Sequence, residues 1–249
     1  MEKKAWVVSV DMGYGHQRAA YPLKDISYER IITANSDKII TPKEKKRWAR
    51  AKWFYEGISR FSGFPLIGRL FFEIYNLFQR IPTLYPFRDL SLPNYAALYV
   101  NSLIRNNLGK SVTDHVKDKK LPFVSTFFIP AIAAEYHGLK DIYCITTDSD
   151  VNRAWVPKSP KTRIKYFASC DRVVKRLKEY GVPAKNIFFT GFPLPKENLG
   201  GRSLKILKKD LGSRLINLDP NKKYISRYRE HIKRHLGKKN LKNKCNRPL

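Results

Sequence analysis

Apolar positions along the chain recur in two rhythms. Six short runs, Ala5–Val10, Arg30–Ala34, Pro122–Phe128, Ile142–Thr146, Tyr166–Ser169 and Ile187–Thr190, are apolar and rich in β-branched or aromatic residues. Their length and composition predict buried strands. Between them lie helical signals. Thr41-Pro42-Lys43-Glu44 combines an N-cap, a first-turn proline and a glutamate three residues on. Further helices are expected over Tyr95–Asn107, Pro130–His137 and Asp171–Tyr180. In Phe64–Arg80, Ile67, Leu70, Phe71, Ile74, Leu77 and Phe78 fall at steps of three and four, on one helical face that Phe72 and Tyr75 widen. Upstream, Lys43–Arg60 alternates cations with Trp48, Trp53, Phe54 and Tyr55. Strands alternating with helices predict an α/β fold, a Rossmann-like, doubly wound parallel sheet. The expected domain is residues 1–199, followed by a linker and basic helix over 200–238, helical from Asn221 to Leu236, and a disordered tail over 239–249.

Composition narrows the class. The 249 residues are 43% hydrophobic, enough for a folded chain with a sizeable core. No apolar run is long enough to cross a bilayer. Met1-Glu2-Lys3-Lys4 leads straight into a strand without an apolar leader, so a cytoplasmic protein is expected. Cys144, Cys170 and Cys245 form no CxxC pair; no metal site, disulfide framework or cofactor is expected. The formal net charge is +28, and residues 200–249 alone carry 16 basic and three acidic side chains. Such an excess suits phosphate-rich partners: nucleic acid, anionic lipid headgroups or a nucleotide-linked substrate. A nucleic-acid-binding module is one alternative, although no helix-turn-helix, zinc-finger or RNA-recognition motif is visible.

Three loops could carry chemistry. Asp11-Met12-Gly13-Tyr14-Gly15-His16 follows the first strand and opens a helix. Glycines in such a turn let a ligand approach backbone amides. His16 is either a proton acceptor for a hydroxyl nucleophile or a histidine that only caps and packs. Asp11 has three open roles: orienting His16, holding a substrate hydroxyl, or bonding to the turn backbone. The second loop, Thr146-Thr147-Asp148-Ser149-Asp150-Val151-Asn152-Arg153-Ala154-Trp155, offers carboxylates, an amide, a guanidinium and an indole. These suit sugar or phosphate hydroxyls and ring stacking. The third, Gly191-Phe192-Pro193-Leu194-Pro195, is a rigid exit from the last strand.

Taken in order, the strand with GYGHQRAA, then TTDSDVNRAW, then YFASCDRVVKRLKEYGVPAKNIFFTGFPLP resemble the N-terminal, acceptor-side domain of a GT-B glycosyltransferase, one with two Rossmann-like domains. The nearest likeness is glycosyltransferase family 28 in the broad sense, which includes monogalactosyldiacylglycerol synthase and the transferase that completes lipid II. The resemblance spans roughly residues 5–195. It implies a hexosyltransferase that moves sugar from a nucleotide sugar, usually UDP-linked, to an acceptor hydroxyl, including that of a lipid, as in glycolipid synthesis. His16, with Asp11, would be the catalytic group. Gly13, Tyr14 and Gly15 would line the cleft toward the donor phosphates, and Asp148, Asp150, Asn152, Trp155, Gly191 and Pro193 would complete it. Relatives acting on lipids are peripheral membrane proteins, so the aromatic and basic region Lys43–Arg80 either meets an anionic surface at the inner face of the cell membrane or turns Ile67, Leu70, Phe71 and Ile74 to the domain core.

Two departures from the pattern stand out. Galactolipid synthases carry a histidine three residues before the tryptophan of the second loop, where this chain has Asn152. The resemblance also ends near Pro195, without the glycines and acidic residues of a donor domain. The expectation is a truncated half enzyme, inactive alone, that meets UDP-sugar only through a donor domain on a separate chain; a subunit or inactive remnant is the other outcome.

Overall fold

A computed structural model describes residues 4–61 and 89–241. The predicted apolar helix over Phe64–Arg80 lies outside the described residues, as does Cys245. The chain forms two compact units, 1–193 and 194–249.

The first unit is an α/β fold around one six-stranded, all-parallel sheet. The strands are β1 (Trp6–Ser9), β2 (Ile32–Thr33), β3 (Phe123–Ser125), β4 (Ile142–Ile145), β5 (Lys165–Ala168) and β6 (Ile187–Phe189), in the order β2-β1-β3-β4-β5-β6. From β1 the chain steps one way to β2, then crosses back and continues in the other direction to β6. Because parallel crossovers are right-handed, that reversal sends their helices to opposite faces. The helix α1 (Tyr14–Ala20) and a 3-10 turn (Tyr21–Ile26) make the first crossover, and Leu23 packs there against Ala5, Val124 and Ile145. The large core lies on the other face. There α2 (Pro42–Phe61), α3 (Tyr95–Arg105), α4 (Lys110–Val116), α5 (Phe128–Tyr136) and α6 (Asp171–Glu179) supply Trp48, Ile104, Val112, Ala133 and Leu177 against Trp6, Phe123, Cys144 and Tyr166.

The strand runs are shorter than their apolar patterns, because the pattern continues into loops that stay buried. Thr126, for example, lies past β3 yet is fully buried. The helix α4 was not foreseen: its short sequence has no full apolar stripe. It forms because Glu44, in the first turn of α2 beneath the Thr41 cap (Glu44 N to Thr41 Oγ1, 3.3 Å), caps it from outside. The Glu44 carboxylate is buried and accepts from Gly109 N at 2.8 Å, Ser111 N at 2.9 Å and Trp48 Nε1 at 3.4 Å. Gly109, at φ +85°, brings the turn so close to Ala133 that a β-carbon would collide with it.

The second unit holds α7 (Lys205–Leu218), α8 (Lys223–Arg227) and α9 (Arg229–Leu236), then a 3-10 turn (Lys238–Leu241). The boundary thus lies six residues before the expected one at 199, and the stretch read as linker contains α7. The basic helix splits at Tyr228 into α8 and α9. Buried Ile232 and Gly212 form the inner side; Gly212 meets the Asn240 backbone, an approach that leaves no room for a β-carbon. Residues 239–241 belong to the 3-10 turn, and 242–249 lie outside the described residues.

Replacing Glu44 orphans a buried amide at Gly109 and a half-buried one at Ser111. Glu44→Ala is expected to lower unfolding free energy by about 3 kcal/mol. Glu44→Gln is expected to destabilise as well, since its amide group brings a donor against a donor. Urea titration reading the midpoint at constant slope measures both.

Candidate functional site

The reversal of strand order lies between β1 and β3. In an open parallel sheet such a reversal leaves a crevice beyond the carboxyl ends of the strands, where no crossover covers it. His16 stands in it. The loop leaving β1 carries it across to the loops leaving β3 and β4, where its Nδ1 lies 2.9 Å from the Thr126 carbonyl oxygen and 3.0 Å from Thr147 Oγ1. A carbonyl only accepts, so Nδ1 carries the hydrogen, and the lone pair falls on Nε2. Nε2 has no hydrogen-bond partner among the described residues. Thr126 Oγ1 donates back to the His16 carbonyl at 3.0 Å, so the two loops hold each other by main chain and side chain together.

The ring is also held by packing. Its edge meets Phe127 at a centroid distance of 4.7 Å. Phe127 in turn packs on Phe128 at 4.4 Å and faces Trp155 at 6.3 Å. Burial pushes the imidazole below its ordinary 6.5, while the Thr126 carbonyl and the charge of Asp148 pull it back up. Asp148 is solvent-accessible, yet the surrounding protein raises its carboxyl above the ordinary 3.8 against the opposing influence of His16. A half-buried imidazole with its acceptor nitrogen unpaired and the charge of a carboxylate acting on it is equipped to take a proton and to stabilise the cation that results.

The remaining expected site residues divide. Gly13, at φ +116°, and Gly15 both face open space where a side chain would stand, and Tyr14 between them is 83% exposed. Asp11 does not orient His16. Its backbone N–H and carbonyl bond to the Asn35 amide at 2.8 and 3.1 Å, and its carboxylate accepts from Gln17 Nε2 at 3.2 Å and lies 3.6 Å from Lys52 Nζ. In the second loop Thr147 touches His16, and Asp148 acts on it through its charge. Asp150 is taken by Arg176 at 3.1 Å, and Asn152 caps a 3-10 turn through the Ala154 amide at 2.9 Å. Trp155 is buried, so it forms the wall behind Phe127 rather than a stacking surface. Arg153 is buried too. Its guanidinium donates to the carbonyls of Ser91, Val156, Pro157 and Lys158, which uses it up as a brace. From below, the buried phenols Tyr166 and Tyr180 donate to the carbonyls of Trp155 and Val151 at 2.9 and 2.8 Å.

Gly191 and Pro193 leave β6 at the sheet edge, with β3, β4 and β5 between them and the β1/β3 crevice. Gly191 takes its positive φ of 78° while its N–H bonds to the Ala168 carbonyl at 3.2 Å. Thr126 and Thr147 were missed as individual site residues. The available signal was their position, each at the carboxyl end of a central strand. A separate hollow of about 190 Å³, lined by Lys43, Glu44, Arg47, Lys110 and Ser111, is built from α2 and α4. Among the described residues there is no group of three or more metal-ligating side chains and no helix long and apolar enough to cross a membrane.

The His16 shift has a stability consequence. The unfolded chain takes up its proton near pH 6.5 and the folded chain at a lower pH, so stability is whole above 6.5 and is lost as pH falls below it. His16→Gln is expected to flatten that loss in urea titrations run across the window. Asp148→Asn, by removing the nearby negative charge, is expected to lower the His16 titration midpoint further, read by NMR of the imidazole.

No family model, curated protein or solved structure matches the chain.

Proposed function

We propose that the first unit is the acceptor side of a glycosyltransferase of the two-Rossmann-domain type. In this reading an acceptor hydroxyl binds in the β1/β3 crevice and gives its proton to His16 Nε2. The oxygen forms a bond to the anomeric carbon of a nucleotide sugar, usually UDP-linked, as the bond from that carbon to the diphosphate breaks and the nucleotide departs with the electron pair. Asp148 would stabilise the imidazolium, and Thr147 with the Thr126 carbonyl would keep the ring in its productive tautomer. The observation that carries the reading is the placement of an unpaired Nε2 at the strand-order reversal, within the influence of the Asp148 charge and after a turn whose two glycines border open space.

The donor would enter on a second Rossmann-like domain, in this chain's partner or in a subunit of its own. Open space at Gly13 and Gly15 supports an approach of donor phosphates from that side. A lipid acceptor, with peripheral attachment to an anionic surface, draws support from α3, which turns Tyr95 and Leu98 to solvent beside exposed Leu92. It also draws on the exposed cations Lys43, Lys46 and Arg50 of α2. An amphipathic tyrosine and leucine ledge suits a headgroup layer, and surface cations strengthen attraction to an anionic one.

Separate NMR titrations of the chain with hydroxyl acceptors (diacylglycerol in micelles, a lipid-linked glycan) and with UDP-sugar test the reading. Acceptor is expected to shift the His16, Thr147 and Asp148 resonances, and UDP-sugar to leave them unmoved. Micromolar UDP-sugar binding to this chain alone, or silence at these residues with every acceptor, would overturn it. With a donor domain supplied, His16→Gln is expected to slow transfer by roughly 10²–10⁴.

A further inference from the structure

The second unit has a surface that the crevice chemistry does not use. From Tyr224 to Leu236 the helical bonds run on through the break at Tyr228: its N–H bonds to the Tyr224 carbonyl at 3.0 Å, and the Ile232 N–H to the Tyr228 carbonyl at 2.9 Å. At helical spacing, Tyr224, Tyr228, His231 and His235 fall on one side. The side chains bear this out. The Tyr224 and Tyr228 ring centroids lie 4.6 Å apart, and those of His231 and His235 lie 4.5 Å apart. All four residues are exposed, the tyrosines at 54% and 41%. Ile232 is buried on the inner side, where α9 meets α7.

Cations frame this row of rings. Arg227 lies over the Tyr228 ring at 5.7 Å. Lys223, Arg227 and Arg234 are exposed along one border. The carboxylate in the helix sequence, Glu230, pairs with Lys233 at 2.7 Å, at helical positions away from the rings. Exposed rings paired along one helix side, with guanidinium and ammonium groups beside them, match what a single-stranded nucleic acid requires. Every base has a π-face that stacks without regard to sequence, and the backbone needs neutralising charge at intervals. A bilayer fits less well. Insertion calls for aliphatic bulk, and the aliphatic residues of this helix, Ile225, Ile232 and Leu236, are buried or half-buried.

We propose that the C-terminal unit binds single-stranded nucleic acid, with bases stacking on Tyr224, Tyr228, His231 and His235 and phosphates held by Lys223, Arg227 and Arg234. This activity is independent of the sugar-transfer reading, since it uses none of the crevice residues.

Fluorescence anisotropy of the full chain with labelled oligouridine, at physiological ionic strength, tests the proposal, with the matching duplex and phosphatidylserine vesicles as comparisons. Expected are preference for the single strand, a loss of roughly tenfold or more in Tyr224→Ala/Tyr228→Ala, and retention in Tyr224→Phe/Tyr228→Phe. Arg227→Gln/Arg234→Gln is expected to reduce the slope of log affinity against log salt by roughly one. Far-UV circular dichroism confirms that each variant keeps its helices. Failure to bind the oligonucleotide, equal binding of the duplex with no effect of Tyr→Ala, or tyrosine-dependent capture by vesicles alone would each overturn the proposal.

Discussion

The first unit depends on one constraint of winding: β1 is paired on both sides, and the chain steps from it one way to β2 and then back across it to β3. Right-handed crossovers then diverge to opposite faces, and the carboxyl end of β1 is left uncovered. Everything of chemical interest in this unit follows from that gap. The loop after β1 must turn sharply to enter α1, which brings His16 within reach of Thr126 and Thr147 on the far side. The same opening leaves Gly13 and Gly15 facing empty space.

Within the gap, polar groups compete for partners, and the outcome decides what each can do. The Thr126 carbonyl takes the proton-bearing nitrogen of His16, which leaves the other nitrogen open. Arg153, Asn152 and Asp150 find partners in their own loop, at Ser91 or on α6, and so hold the loop in shape instead of facing a ligand. A buried guanidinium bonded only to carbonyls is costly to place and costly to disturb. That cost fixes the loop from Val151 to Lys158, and with it the position of Asp148 at the loop's near end.

The charge of the chain divides along the same lines as its units. In the first unit many cations are paired, as in Arg30 with Asp37, Lys165 with Asp141 and Arg176 with Asp150. The C-terminal stretch has too few carboxylates for such pairing, so its helices present cations to solvent around an aromatic row. A single figure of +28 therefore describes two different surfaces.

The sequence by itself determined the alternation of strands and helices, and with it the parallel α/β fold. Apolar period and β-branched content are local properties, and buried parallel strands display them without help from distant residues. The Thr41 cap, the glycine turn and the polar loop after β4 were legible for the same reason. Strand order was not, because pairing depends on contacts between residues far apart in the chain. Only the tertiary structure decided that Thr147 meets His16 while Trp155 and Arg153 turn inward, and that Asp11 bonds to Asn35 and Gln17. It also decided that α4 exists, through a carboxylate supplied by another helix. A residue type states which bonds it can make; the fold states which partner arrives first.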